Sequence, residues 1–184
     1  MQIYKGKSTN DGRLVHSTPP ESKLKLIPPH KNISRLVKAE DLQRVYEDAE
    51  EIYKLLNLRR GRHNGYFAIA HPQCIEVDPL RFFVLNNQTE TFATWRSVVI
   101  INPVIARHTN QEIRKKEGCA TFPNLPMTDV VRYHKCEVEY NELHFDKDNK
   151  PVLSPRLKAN LVGRIAEVFQ HETDHLDGKY IYQL

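Results

Sequence analysis

His171-Glu172-Thr173-Asp174-His175 is the stretch of this chain that says most about its fold and chemistry. Residues i and i+4 lie on the same face of an α-helix, so both imidazole rings can reach one metal ion. Glu172 lies about 100° round such a helix from the first histidine, close enough to handle the proton of a metal-bound water. A solvated helix end without a metal is the alternative. Chance composition explains the pattern poorly, so we predict a helix that carries two metal ligands.

A catalytic metal held by two histidines lacks one protein ligand. Only nine residues follow His175, with Asp177 as their one acid, which leaves little room for a distant downstream ligand. Upstream, residues 117–121 read Glu-Gly-Cys-Ala-Thr, in which Gly118 allows the backbone to approach closely beside Cys119. The third ligand is therefore another histidine, the downstream acid or a cysteine.

The composition is ordinary for a globular protein. The 184 residues are 40% hydrophobic and 27% charged, which fits one domain with a hydrophobic core. No apolar run is long enough to span a bilayer, which argues against a membrane protein. The first thirty residues lack a signal-peptide core and match a transit peptide poorly. We expect a cytoplasmic protein, with an organelle or the cytoplasm of a virus-infected host as alternatives.

Charge and cysteine content bear on the possible partners of the protein and on its cellular compartment. The net charge is +4, with basic clusters at residues 59–62 and 114–116. These clusters are either solvated surface charge or an RNA-facing patch. Three cysteines form no even disulfide framework, which favours a reducing compartment. We assign Cys74 and Cys136 to packing.

The order of segments predicts an α+β fold. Residues 1–24 are expected to form an irregular extension within a Pro-rich lead-in of about 35 residues, followed by an amphipathic helix over residues 38–58. Strands are predicted over residues 81–85, 97–101 and 135–141, with a tight turn at 146–150. The second strand is expected to end at Asn102-Pro103 or to resume after a bend. A last helix is predicted to begin at Ser154-Pro155 or Asn160 and to end before Gly178.

These segments together resemble the peptide deformylases, whose motifs in order are G-x-G-x-A-A-P-Q, E-G-C-[LS]-S and H-E-x-D-H. The third motif is complete at residues 171–175, and the second appears at 117–121 with changes after the cysteine. The first is degraded at residues 66–73, which keep Ala70, Pro72 and Gln73 but lack both glycines. The resemblance covers roughly residues 25–182. It implies one domain over 1–184, in which antiparallel or mixed sheets pack around a C-terminal metal-binding HExxH helix.

The resemblance also implies a ligand set. Cys119, His171 and His175 are then expected to bind one divalent metal, with water in the fourth position. A thiolate with two imidazoles suits iron(II), zinc, nickel or cobalt, and not magnesium or calcium. In the family the natural metal is typically iron(II), which zinc or nickel can replace.

The activity implied by the resemblance is hydrolytic removal of the N-formyl group, as formate, from the formyl-methionine of nascent proteins. Glu172 is expected to move the proton, while the Gln73 amide and the Ala120 N–H stabilise the oxyanion. The expected partner is an N-formyl-methionyl peptide, with a transient ribosome contact as a further option. Neither DNA nor a membrane is expected as a partner, and a monomer is the default. Taken alone, Gln73 could cap a turn and Cys119 could be a small buried hydrophobe.

Several neighbours are expected to bind the substrate or to support the site. The predicted substrate-binding residues are Ala68, Ile69, Glu117, Gly118, Arg164, Glu167 and Val168. Glu117 is either surface charge or, as in the family, a buried partner that orders the cysteine segment together with an arginine such as Arg132. Asp174 is expected to support the histidines or to stabilise the helix. His71 replaces a small family alanine, either as a hydrogen-bonding support or through simple repacking.

The last helix carries a further departure from the family pattern. On a helical wheel Arg164 lies about 20° and Glu167 about −40° from His171, while a core stripe is expected at Leu161, Ile165, Phe169 and Leu176. The family usually has apolar residues at the two charged positions, where they line the methionine pocket. Either the two charges pair at i, i+3 on the rim and leave methionine recognition intact, or the pocket is polar.

Three alternatives remain to the leading activity. The chain could be a deformylase-like amidase that acts on a more polar N-formyl or N-acyl substrate. A zinc endopeptidase is disfavoured by the cysteine motif and by the missing downstream ligand. A non-catalytic relative that binds peptide or ribosomal RNA is disfavoured because Cys119, His171, Glu172 and His175 are all present.

Overall fold

The fold is α+β, with antiparallel sheets and two α-helices, in a computed structural model that describes residues 21–58, 67–87 and 96–182. In chain order the elements are α1 (Leu42–Leu58), β1 (Ala68–Ala70), β2 (Phe82–Asn87), β3 (Arg96–His108), β4 (Glu112–Glu117), β5 (Thr128–Tyr133), β6 (Lys135–Phe145), β7 (Pro151–Leu153), β8 (Leu157–Val162) and α2 (Arg164–Leu176). Short 3-10 turns lie at Ala39–Asp41 and at His71–Gln73, and the second is called the HPQ turn below. Within the described ranges, no helix has the length and apolar character needed to cross a membrane.

The main sheet lies between the two helices. Its strands run in the order β1-β2-β3-β6, and β7 and β8 pair with different halves of β6. Alternate residues of β2 point to opposite faces, so Phe82 and Val84 pack with α1 while Phe83 packs with α2. Burial on both faces explains the continuous apolar run of β2. Strands β4 and β5 form a separate two-stranded sheet.

Strand β3 continues past the point where the sequence suggested an end. Its pairing with β6 shifts between Ile101 and Val104, which marks a bulge at Asn102-Pro103. Asn102 has φ 51°, and its side chain accepts from the Val37 N–H at 2.8 Å and donates to the Val37 carbonyl at 3.0 Å. A proline lacks the N–H that a ladder needs, so it is tolerated where a bulge interrupts the pairing.

The predicted start of the last helix is wrong. Residues 157–162 form β8, whose period-2 pattern pairs with β6, and α2 begins only at Arg164 after Gly163 at φ 64°. Leu161 therefore belongs to a strand and not to the helical core stripe. Ile165 is 36% exposed, whereas the apolar helix residues that are buried are Ala166, Phe169 and Leu176.

Two predicted chain reversals are confirmed. In the turn at 146–150 the Asp146 N–H donates to the Lys150 carbonyl, and Asn149 has φ 60°. At the end of α2 the Gly178 N–H donates to the His175 carbonyl and the Lys179 N–H to the Asp174 carbonyl. With Gly178 at φ 69°, this pair of bonds is a Schellman motif. The motif turns the chain back toward the last histidine.

An extended segment before α1, residues 27–35, is called the N-terminal strap. Its Ile27 N–H donates to the Gln73 carbonyl at 2.9 Å, and the His30 ring Nε2 donates to the Pro72 carbonyl at 2.8 Å. The Ser34 N–H donates to the carbonyl of Leu176 at 2.9 Å. The strap therefore joins the HPQ turn to the end of α2.

Gly178→Ala is expected to destabilise the protein more than Gly163→Ala. Both glycines have positive φ, which costs an L-residue about 1–3 kcal/mol, and Gly163, at ψ −136°, lies outside the left-handed helical region. A Cβ on Gly178 would lie 2.7 Å from the Lys31 carbonyl oxygen, whereas a Cβ on Gly163 meets no described atom within 4 Å. Denaturant unfolding of the two variants checks this, with Gly163→Ala as the matched control. Equal losses of stability in the two variants would mean that the strap moves away from the added Cβ at Lys31 without cost.

Candidate metal centre

Three potential metal ligands converge between α2 and the segment that follows β4. The ligand atoms of Cys119, His171 and His175 all lie within 4.8 Å of one another. The two Nε2 atoms are 3.1 Å apart, and the Cys119 Sγ is 3.3 Å from the His175 Nε2. Tetrahedral zinc distances imply about 3.3 Å between two imidazole nitrogens and about 3.6 Å between nitrogen and sulfur. The spacing therefore fits one small cation with minor adjustment.

The hydrogen bonds on the far side of each ring assign the tautomers. His171 Nδ1 lies 2.8 Å from a Glu117 carboxylate oxygen, and His175 Nδ1 lies 3.0 Å from the Lys179 carbonyl. These partners accept hydrogen bonds, so each Nδ1 carries the proton and each neutral ring presents an Nε2 lone pair to Cys119. Two lone pairs facing each other at this distance repel unless a positive charge lies between them.

Glu117 is half-buried in an ion-pair network and is not free surface charge. It accepts two hydrogen bonds from Arg132, each 2.8 Å long, and Arg132 also donates to Asp174 at 2.5 Å. Burial raises the pKa of Glu117, but the hydrogen bonds from Arg132 and His171 outweigh it and lower the pKa to about 2. The network fixes the segment before Cys119 against α2.

The two histidines are in different electrostatic environments. Burial lowers the pKa of His171, but its hydrogen bonds with Cys119 and Glu117 outweigh this and raise the pKa to about 10. Burial and the nearby His171 charge hold the pKa of His175 well below its usual value. Without a cation the cluster thus favours a second proton, on Nε2, for His171 and no proton on the Nε2 of His175. A cation would replace that proton.

Glu172 is a buried acid beside the ligand cluster. It is 4% exposed, and its Oε2 has no hydrogen-bond partner among the described residues. Burial raises the pKa of Glu172 to about 7, even though the neighbouring His171 charge lowers it. A buried carboxyl group with a free oxygen is costly to keep, and such groups are frequent at catalytic sites. Its pKa suits the transfer of a proton near neutral pH.

The HPQ turn places Gln73 against the cysteine. Its Oε1 accepts from the Ala70 N–H at 2.8 Å, and its Nε2 donates to Thr121 Oγ1 at 3.0 Å and lies 3.7 Å from the Cys119 Sγ. Ala120 is 5% exposed, and its N–H makes no hydrogen bond to any residue that the structure describes. Two donors therefore lie next to the candidate metal ligand.

The remaining predicted site residues differ in their position and exposure. Ala68 and Ile69 lie on β1 at the edge of the main sheet, and the Ile69 side chain is fully buried in the core cluster that contains α1. Gly118 is exposed, and Val168 is half-buried on α2. Any contact of Ile69 with a substrate would therefore use its main chain.

The structure does not show the i, i+3 pair of Arg164 with Glu167, which was one of the two alternatives for these charges. Glu167 lies 3.7 Å from the Lys115 Nζ, and the Arg164 guanidinium lies 3.9 Å from the centroid of the Phe67 ring. Strand β4 brings Lys115 close to α2, and sequence spacing does not reveal that approach. Arg164 forms no ion pair with any residue in the described ranges.

Some supporting groups were missed by sequence reasoning. Thr121 adjoins the cysteine motif, so its hydroxyl could have been suspected as the partner of Gln73. The Lys179 carbonyl that orients His175 is a main-chain group, which no residue type reveals. The basic cluster at 59–62 and Tyr66 of the first motif lie outside the described residues.

Comparison with known proteins decides the family. The family model for polypeptide deformylase matches residues 29–184. The chain belongs to this family. The resemblance seen in the motifs is thus confirmed, and the family assignment covers both the cysteine segment and α2.

Deformylase relatives match parts of the chain. A peptide deformylase from Orientia tsutsugamushi (strain Boryong) is 39% identical over 80 residues, 43% of this chain and 38% of that protein. One from Picosynechococcus sp. is 37% identical over 98 residues, 53% of this chain and 46% of that protein. The chain thus spans less than half the length of these two relatives. A third, from Christiangramia forsetii, is 28% identical and covers 77% of this chain and 71% of that protein.

Solved deformylase structures share the fold. A probable peptide deformylase from Synechococcus phage S-SSM7 has a TM-score of 0.68 at 23% identity, covering 86% of this chain and 97% of that one. The Met-Ala-Ser-bound enzyme of Acinetobacter baumannii has a TM-score of 0.65 at 22% identity, covering 87% and 96%. The actinonin complex of a deformylase from Synechococcus elongatus has a TM-score of 0.64 at 22% identity, covering 91% and 81%.

Proposed function

We propose that this protein is a metal-dependent hydrolase that removes the N-formyl group, as formate, from N-formyl-methionyl peptides. The observation that carries the proposal is the convergence of the Cys119 thiol and two correctly oriented imidazole lone pairs beside a buried acid. Family membership supports the reaction class. The binding of Met-Ala-Ser and of actinonin by two structural relatives supports a peptide substrate.

Cys119, His171 and His175 would hold the metal, because this donor set and its spacing suit iron(II), zinc, nickel or cobalt. We propose iron(II) as the natural ion. When bound, such an ion would supply a Lewis acid and a water of lowered pKa. Glu117 and the Lys179 carbonyl would keep both rings in the ligating tautomer.

The protein groups around the ligands would carry the proton and the developing charge. Glu172 would accept the proton of the attacking water at its free oxygen and pass it to the leaving amine. The Gln73 Nε2 and the Ala120 N–H would donate to the oxyanion of the tetrahedral carbon. The Thr121 hydroxyl and the Ala70 N–H hold the Gln73 amide in place before the substrate arrives.

The test is formate release from formyl-Met-Ala-Ser by protein purified without oxygen, together with its metal content. We expect one divalent ion per chain and turnover that a chelator abolishes. Stoichiometric metal without formate release would refute deformylation, and cleavage of casein would instead indicate an endopeptidase. Peptide or RNA binding without either activity would indicate the non-catalytic alternative.

A second candidate function is removal of the formyl group from a more polar substrate. Glu167 lies 3.7 Å from the Lys115 Nζ, and the Arg164 cation lies over the Phe67 ring without a carboxylate partner among the described residues. By the motif resemblance, these two positions correspond to the family's apolar pocket lining. A free cation there would favour an acidic side chain next to the formyl group over methionine.

Arg164→Leu is expected to raise the preference for formyl-Met-Ala-Ser over formyl-Glu-Ala-Ser by about tenfold or more, since pocket contacts of this size change discrimination by about 1–3 kcal/mol. The measurement is kcat/KM for both peptides. Arg107→Leu, an exposed arginine on β3, is the matched control. An unchanged ratio in Arg164→Leu would place the guanidinium outside the pocket and leave methionine as the preferred side chain.

We further propose that residues 1–184 act as one deformylase domain and as a monomer. Its partners would be nascent peptides, with at most transient ribosome contact through exposed basic groups such as Arg114 and Lys116. The bacterial relatives and a chloroplastic relative from Oryza sativa support a site of action in the cytoplasm or an organelle.

A further inference from the structure

A buried histidine in the HPQ turn links the candidate oxyanion donor to the opposite side of the core. The His71 side chain is 0% exposed and packs against Phe82 with ring centroids 4.6 Å apart. It lies two residues before Gln73, and its hydrogen bonds and ring contact within the described residues are to residues other than the three candidate metal ligands. A polar ring fully buried in an apolar core needs partners for both nitrogens.

Both ring nitrogens have a partner, and the partners assign the tautomer. The Leu80 N–H donates to Nδ1 at 2.9 Å, so Nδ1 carries no proton. Nε2 therefore carries the proton and donates to Asp48 Oδ2 at 3.0 Å. The neutral ring thus connects the loop before β2 to α1. Burial lowers the pKa of His71 and favours this neutral form, although Asp48 opposes the shift.

The His71 ring bonds the HPQ turn to α1, a connection that the strap does not provide. The strap holds the main chain of the turn through the carbonyls of Pro72 and Gln73. Asp48, the acceptor on α1, also lies 3.4 Å from the Arg44 Nε. The Arg44 Nη1 in turn lies 3.1 Å from the Asp78 Oδ2. The turn is therefore clamped between the strap and α1, and the Gln73 side chain projects from it toward Cys119.

We propose that His71 is a positioning residue, whose hydrogen bonds to Leu80 and Asp48 fix the HPQ turn so that the Gln73 amide points at the reacting centre. The catalytic part of this inference rests on the proposed function. A donor aimed at the oxyanion must be placed before the reaction, and a displacement of about 1 Å can cost about 10²-fold in rate. The imidazole supplies that placement from outside the site.

The experiment compares His71→Ala, His71→Asn, Asp48→Ala and Leu56→Ala. The asparagine variant is the conservative rescue, because its side-chain oxygen can accept the Leu80 N–H in place of Nδ1. Leu56→Ala is the matched control for stability loss, since Leu56 is 1% exposed in the same core cluster as Phe82. Assays are run well below the melting midpoint of every variant.

Two readouts separate positioning from mere stability. The first is hydrogen exchange of the Ala70 amide in metal-free protein, because that N–H donates to Gln73 Oε1; Glu172 is a second acceptor for it, so all variants are compared at the same pH. The second is kcat and KM for formyl-Met-Ala-Ser. For His71→Ala we expect at least about tenfold faster Ala70 exchange. We also expect kcat to fall about 10–100-fold with little change in KM, a smaller fall than removal of a whole oxyanion donor would cause.

The remaining variants decide the outcome. His71→Asn should recover most of both effects, Asp48→Ala should show part of both, and Leu56→Ala should show neither. Unchanged Ala70 exchange in His71→Ala, or equal exchange in Leu56→Ala, would overturn the inference. If the native protein releases no formate, the proposed function fails, and Ala70 exchange alone still decides whether His71 holds Gln73.

Discussion

Glu172→Gln is expected to keep its metal and to lose about 10²–10⁴-fold in kcat, the usual contribution of a general acid–base group. The amide has the same shape as the acid but cannot take a proton from water. Because the three candidate ligands are untouched, metal content should stay at one ion per chain. The measurement is formate release at saturating substrate, alongside metal analysis of the same sample.

The magnitude follows from where the carboxyl group lies. Glu172 is buried, its Oε2 has no described partner, and burial raises its pKa to about 7. The group therefore exchanges protons near neutral pH, which a solvent-exposed glutamate does poorly. Replacing a buried carboxyl whose Oε2 has no described partner should also cost the fold little stability.

A matched control is available on the other helix. Glu51→Gln changes a carboxylate that is 14% exposed and pairs with Lys54, away from the site. It should leave kcat nearly unchanged, because this partly buried ion pair lies on α1, away from the candidate metal centre. If Glu172→Gln turns over as fast as this control, another group moves the proton.

Cys119→Ser is expected to weaken metal binding by more than about 100-fold, since even partners that only orient metal ligands are each worth about 10–100-fold. The substitution removes the soft thiolate and leaves two imidazoles. Metal analysis after dialysis against a weak chelator should show near-complete loss. In the native chain a saturating ion at 100 times its Kd adds about 2.7 kcal/mol to stability, so the melting temperature should rise with added metal only when the thiolate is present.

Cys136→Ser is the control for the loss of a buried sulfur. Cys136 is 3% exposed in the core cluster that contains α2, and its side chain has no role at the centre. This variant should lower stability through packing yet keep its metal and its metal-dependent melting shift. A Cys119→Ser protein that retains one ion per chain would mean that the sulfur is not a ligand.

Much of the candidate site could be predicted because its residues occur in short local motifs. The i, i+4 spacing placed His171 and His175 on one helical face, and the cysteine motif identified the third member of the cluster. That these three bind a metal stays a prediction. The final helix was recognisable, but its start was not, since the alternation of Leu157, Ala159 and Leu161 can extend a helical pattern as easily as form a strand.

Contacts between residues far apart in the sequence could not be predicted from the sequence. The polar strand β4 has no strong period-2 pattern, so nothing in residues 112–117 announced that Lys115 would reach Glu167. The Asp48–His71 bond joins residues 23 positions apart, and only the packing of α1 on the sheet brings them together. The bulge at Asn102 likewise depends on its bonds with Val37, far away in sequence.

The strap also indicates how the connectivity of the chain could be changed. It brings the early part of the described chain against its late part, with Lys31 beside Gly178 and Ser34 bonded to Leu176. Segments that lie this close are suited to a new direct connection in a circular permutant. A gene reopened within the exposed turn at 146–150, with a linker from the end of α2 to the start of the strap, should still fold around the same cluster.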